Sequence, residues 1–199
     1  QDSFTSYLSD YSLPVKAAAT TADINHPFGK LDEQWMIKLG AKISNPQHKL
    51  KDLNTEIEWM RKRSQSKQAK SLGIDFWKDV VTILEYDLAD INQLNSLAEC
   101  SEYYTIKFCK LDTAIRNLYA AFLENTTLLQ PFQNLYREHV SVFLNKWFQY
   151  WSEYKENQTG LLQRIINERS KKTAIIVGDG VAYEIANLVA DKVSSNYEL

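Results

Sequence analysis

Tyr104, Phe108, Leu111, Ile115, Leu118 and Phe122 recur four and three residues apart, and this seam constrains the chain more than any other pattern in it. Apolar residues at that spacing line one face of an α-helix, and that face must be buried against another helix. The chain is therefore expected to fold around packed helices. Asp112 and Arg116 stand four apart on the same segment, a spacing that suits a weak ion pair. Cys109 lies beside the seam with no activating base in the pattern, so it is not read as a catalytic thiol.

Helical periodicity recurs on both sides of the seam. Leu31–Gly40 reads as a helix with Leu31, Trp35, Ile37 and Leu39 toward the core and Gly40 ending it. Leu53, Ile57 and Met60 mark another. Asp75 is placed to cap a helix whose apolar face (Phe76, Val80, Ile83, Leu84, Leu88, Ile91, Leu94, Leu97) runs to about Ala98. The acids Asp79, Glu85, Asp87 and Asp90 fall on its other faces and read as solvated, without the Glu-x-x-His spacing of a di-iron bundle. Pro131 suits the first position of an aromatic-rich helix from Phe132 to Tyr154, and Leu161, Leu162, Ile165 and Ile166 form one more short helix. Residues 1–30 are weakly patterned, with Tyr7, Leu8, Tyr11 and Leu13 as their apolar cluster. His26, before Pro27, reads as an exposed loop residue, His48 has no partner in the pattern, and His139 reads as a hydrogen-bonded helix residue.

A net charge of -2 and a pI near 6.0 exclude a global polycation, so any contact with nucleic acid has to be local. The one basic run is Arg61, Lys62, Arg63, Lys67 and Lys70. It reads either as a contact patch for a phosphate backbone or an acidic partner, or as a solvated helix face. Two cysteines, Cys100 and Cys109, are expected as reduced core thiols of a cytoplasmic protein. No apolar run is long enough to span a bilayer, so no membrane partner is expected.

The pattern changes at residue 171. Thr173–Val177 is a short, β-branched apolar run and reads as a buried strand. Val181, Ile185, Leu188 and Val189 then recur at helical spacing, with Gly178-Asp179-Gly180 between. Tyr183 is too bulky for the sixth position of a dinucleotide-binding turn, and a phosphate-cradling loop would need a Lys followed by Ser or Thr. Two readings stay open. Asp179 is a hard oxygen ligand for Zn, Mn or Mg, with Gly178 and Gly180 letting a metal or phosphate approach the backbone, or Asp179 caps the following helix. One strand and one helix cannot complete an α/β sheet, so the remainder is expected beyond residue 199, and a first residue of Gln rather than Met fits a piece of something longer.

The string Val177-Gly178-Asp179-Gly180-Val181-Ala182-Tyr183-Glu184 resembles the opening of PglZ domains, which belong to the alkaline phosphatase superfamily and to bacterial phage-exclusion (BREX-type) systems. Asp179, Tyr183 and Glu184 match that pattern, and Ala182 stands where the family has Arg. The preceding runs Ile115–Phe122, Leu135-Tyr136 and Phe143–Trp147 are similar as well, so the resemblance covers about the second half of the chain. It implies a mainly α fold followed by the first β-α unit of an alkaline-phosphatase-like α/β domain. The organisation would be residues 1–72 and 73–170 as helical regions and 171–199 as the start of the PglZ-like domain. It further implies metal-dependent hydrolysis of a phosphate ester in phage defence, with other phage-exclusion proteins as partners. Two metals would clamp the phosphate, Asp179 would be a ligand, and the hydroxyl nucleophile would follow residue 199. Ser194 and Ser195 lack a nucleophile's context and read as helix-end residues.

Overall fold

The structure is a computed structural model that describes residues 24–123, 125–155, 158–167, 175–176 and 178–195. It is mainly helical. Nine α-helices are described: α1 Gly29–Ile43, α2 Asn54–Gln65, α3 Lys67–Ser71, α4 Phe76–Leu84, α5 Leu97–Tyr103, α6 Cys109–Ala121, α7 Thr126–Gln149, α8 Gln158–Asn167 and α9 Tyr183–Val193. Shorter turns of 3₁₀-helix span Leu50–Leu53, Ala89–Gln93 and Trp151–Glu153, and a π-helical turn spans Tyr104–Phe108. Among the described residues there is no strand. The predicted β-α unit is therefore not shown: Ile175 and Ile176 are exposed and irregular, and residues 171–174 and 177 lie outside the described residues. The N-terminal cluster of Tyr7, Leu8, Tyr11 and Leu13 also lies outside them.

The chain divides into two units. The first comprises Gln1–Leu88 and Lys110–Ser141, the second Ala89–Cys109 and Val142–Leu199.

The first unit is built on α1, α2 and α4. Asp32, Trp35, Met36, Leu39 and Gly40 recur at i, i+3, i+4, i+7 and i+8 and form the buried stripe of α1. Ile37, expected in the core, is 58% exposed, one step off that stripe. Leu53, Ile57 and Met60 are buried as their spacing implies, and α2 packs on α4. Between them Trp35, Trp59 and Trp77 meet edge-on, with ring centroids 4.3 and 5.4 Å apart. Such T-shaped pairs add roughly 0.5–1.5 kcal/mol each beyond the area they bury. Of the seam, Phe108, Leu111, Ile115 and Leu118 are buried and Tyr104 and Phe122 half-buried, with Tyr104–Phe108 forming the π-helical turn ahead of α6.

Two helix boundaries differ from the sequence reading. Gly40 does not end α1 but lies buried inside it, and a Cβ built there would stand 3.0 Å from the ring of Pro131. Pro131 in turn is not the first residue of α7. The helix begins five residues earlier, where the Asn125 side-chain carbonyl accepts the Leu128 N–H at 3.2 Å. An internal Pro removes one backbone hydrogen bond and adds a bulky ring. Gly40 supplies the room for that ring.

The helix expected from Phe76 to about Ala98 is three elements. From Leu88 its apolar residues recur strictly every three, at Ile91, Leu94 and Leu97, which is the 3₁₀ period, and Ala89–Gln93 is a 3₁₀ turn. A new helix then starts at Ser96, whose hydroxyl accepts the Glu99 N–H at 3.1 Å.

In the second unit Phe143 is the hub. Its ring meets Tyr103, Tyr104, Phe108 and Trp147 at centroid distances of 5.9, 6.1, 4.5 and 5.8 Å. Lys107 pairs with Asp90, and the Glu153 carboxylate accepts the Leu97 N–H at 2.8 Å.

The Gly40–Pro131 contact makes a direct prediction. Gly40→Leu should destabilise the fold by about 1–3 kcal/mol through overpacking, read as a lower urea midpoint. Adding Pro131→Ala should restore part of that loss, because it removes the ring that the new side chain strikes.

Candidate functional site

The turn before α9 carries the residues that the sequence singles out. Gly180 has φ +65°, a left-handed backbone that favours glycine. Gly178 is fixed by crowding, since a Cβ there would stand 2.6 Å from a Val181 methyl. That methyl occupies the space beside Gly178 where a phosphate or metal approach was expected. Tyr183 opens α9 and sets its ring edge-on against Tyr104 at 6.0 Å. Glu184 falls in the first turn of the same helix, where a negative charge favours the helix dipole.

Asp179 is exposed on this turn, and no hydrogen bond to its carboxylate is found among the described residues. It does not cap α9: Ala182 holds the N-cap position, and no side chain caps the helix. The carboxylate is thus presented to solvent. A Zn, Mn or Mg ion requires about four to six ligands. Among the described residues no group of three or more His, Cys, Asp or Glu side chains comes together that could hold one. The described residues alone do not make the implied metal site. Ser194 ends α9, its hydroxyl donating to the Asp191 carbonyl at 2.9 Å, as a helix-end residue does.

The basic run divides. Arg63 is fully buried and is no part of a surface patch. Its Nε and one terminal nitrogen donate to the two Asp32 oxygens at 2.9 and 2.7 Å, and its other terminal nitrogen donates to the carbonyls of Ile24 and His26 at 2.8 and 2.9 Å. Asp32, also fully buried, accepts a third bond from the Trp77 indole at 2.7 Å. Arg61 is turned to acids, pairing with Glu85 and lying 3.6 Å from Glu58. Lys62, Lys67 and Lys70 are exposed. Only these three cations remain for a contact of the expected kind.

Three buried polar residues were not anticipated. His26 is buried, not an exposed loop residue: its ring packs edge-on to Trp35 at 4.7 Å, and its Nε2 lies 3.7 Å from Asp32. Asp79 is buried rather than solvated, and burial raises its carboxyl pKa against a weaker opposing hydrogen bond from the Asn117 amide at 3.1 Å. His139 is buried against the Tyr86 ring, and its Nδ1 has no hydrogen-bond partner among the described residues. Burial lowers its pKa from the ordinary 6.5, and the neighbouring Glu138 opposes this less strongly. Cys100 is also buried, which raises its thiol pKa. Cys109 donates to the Thr105 carbonyl at 3.1 Å, so neither cysteine has the setting of a reactive thiolate.

Among the described residues no helix is long and apolar enough to cross a membrane. Comparison with protein-family models, with curated proteins and with solved structures returns no match.

Three measurements test this assignment of buried polar groups. Arg63→Met leaves Asp32 buried and unpaired and should cost about 3–5 kcal/mol, whereas Lys62→Ala, Lys67→Ala and Lys70→Ala should leave the urea midpoint nearly unchanged. For His139, the folded pKa lies below the unfolded one, so its contribution to stability is full above pH 6.5 and is lost as pH falls below that. Urea midpoints between pH 7.5 and 5 should fall in the wild type, with a slope of at most about 1.4 kcal/mol per pH unit from this group. His139→Phe should remove that component. Asp79 has the opposite sign: its raised pKa favours the fold at low pH, so Asp79→Asn should stabilise the protein at pH 7 and not at pH 3.5.

Proposed function

We propose that this chain is part of a PglZ-type, metal-dependent phosphatase or phosphodiesterase acting in phage defence in the cytoplasm, with its helical units positioning the catalytic domain or binding partner proteins. One observation carries the reading. Gly178, Gly180, Val181 and Tyr183 have steric or packing roles in the turn, while Asp179 has none among the described residues and faces solvent. In this reading Asp179 supplies one oxygen ligand to a Zn, Mn or Mg ion, and the other ligands and the nucleophile come from outside the described residues. Lys62, Lys67 and Lys70 would provide the local contact to nucleic acid or to an acidic phage-exclusion partner.

A second reading is a non-catalytic helical interaction module. It is favoured by α8, whose Leu161, Leu162, Ile165 and Ile166 all lie on the surface. Faces of this kind mark protein contacts.

The two readings separate on one assay. In the full natural protein, hydrolysis of bis(4-nitrophenyl) phosphate with added Zn or Mn should fall at least about a hundredfold on Asp179→Ala, since a lost ligand weakens both metal and activity. Residues 1–199 alone should show no turnover. Equal activity of Asp179→Ala and wild type would remove Asp179 from the site, and absence of turnover in the full protein would leave the module reading.

A further inference from the structure

The first unit holds a cavity of about 620 Å³, within the usual range of small-molecule sites. It opens where the start of α1, the turn before α4 and the last turn of α6 converge. Phe76 and Phe122 form its apolar wall, their rings edge-on at 4.7 Å. Four polar side chains line it: Glu33, Asp75, Lys78 and Asn117.

The charges are unequal. The Lys78 ammonium is already held by Asp75 at 3.3 Å, and Asp75 stands beside the positive end of α4, which it offsets. Glu33 is left as the uncompensated charge. Asn117 adds an acceptor: one N–H of its amide is given to the buried Asp79 carboxylate at 3.1 Å, which leaves its carbonyl oxygen and one N–H. The last turn of α6, the negative end of a helix, borders the cavity opposite the positive start of α1, on which Glu33 stands. Acceptors and negative charge over an aromatic wall suit a cation with an apolar body.

We infer that this cavity binds a small organic ammonium, with its nitrogen on the Glu33 carboxylate and the Asn117 carbonyl and its apolar part against Phe76 and Phe122. The site is distinct from the Asp179 turn and does not depend on it. Lys78, tied to Asp75, bounds the cavity and disfavours ligands that carry a second cation.

Saturation-transfer NMR on the whole chain with phenethylammonium, phenethyl alcohol and phenylacetate tests this. Phenethylammonium should bind saturably and at least tenfold more tightly than the alcohol, and phenylacetate should bind least. Glu33→Gln should reduce phenethylammonium affinity at least tenfold, with Glu33→Asp recovering part. Ala120 is an exposed residue of the cavity rim, and Ala120→Trp should abolish binding by filling it, with thermal unfolding confirming that each variant is folded. No saturable binding, equal binding of amine and alcohol, tighter binding of phenylacetate, or binding indifferent to Ala120→Trp would each overturn the assignment.

Discussion

The bond between Asp32 and Arg63 organises the first unit. Both groups are removed from water, which costs several kcal/mol per ion, and the arrangement is stable only because nearly every donor and acceptor is matched. Asp32 accepts three hydrogen bonds, from two nitrogens of Arg63 and from Trp77. Arg63 spends its remaining terminal nitrogen on two backbone carbonyls, those of Ile24 and His26. One side chain of α2 therefore fixes the register of α1, the segment leading into it and, through Asp32, α4. Hydrophobic packing alone tolerates sliding and repacking, whereas a forked guanidinium on a carboxylate does not.

The aromatic core takes its arrangement from this pair. Trp77 reaches Asp32 with its indole nitrogen and Trp59 with its ring, and Trp59 passes the contact to Trp35 and on to His26. The Trp35 and Trp59 indole nitrogens have no hydrogen-bond acceptor among the described residues. Their edge-on geometry offsets part of that cost, since the ring edge is the positive pole of one indole and the face of the next is negative. The cluster is specific in geometry rather than merely apolar.

Much of this was legible in the residues, and the exceptions have physical causes. The seam of α6 and the buried face of α2 followed from apolar spacing, because burial and period coincide there. Arg63 departs from its sequence reading because a charged residue in a basic run reads as exposed. Its position three residues after Met60 and four after Trp59 nevertheless puts it on the buried face. Asp32 was missed for the same reason, although it opens the i, i+3, i+4, i+7, i+8 stripe of α1. Gly40 and Pro131 read in sequence as a stop and a start, their common roles, but each compensates for the other across a helix contact that sequence order does not display. The threefold spacing from Leu88 to Leu97 was visible, and counting it as 3.0 rather than 3.6 residues per turn would have divided the helix correctly.

The turn before α9 poses the opposite case, in which geometry sharpens a motif that periodicity left ambiguous. If stability were the only demand on this turn, its acidic residue would stand at the N-cap, where Asp in place of Ala is worth roughly 0.5–2 kcal/mol. The chain instead has Ala182 at that position and leaves the helix start without a side-chain cap. The acid stands three residues earlier, on a backbone held by one glycine that the φ angle requires and another that Val181 requires. A capping role for Asp179 is thereby excluded by position, and its exposure is a consequence of how the turn is built. Asp179 is left exposed on this turn, and no hydrogen bond to its carboxylate is found among the described residues.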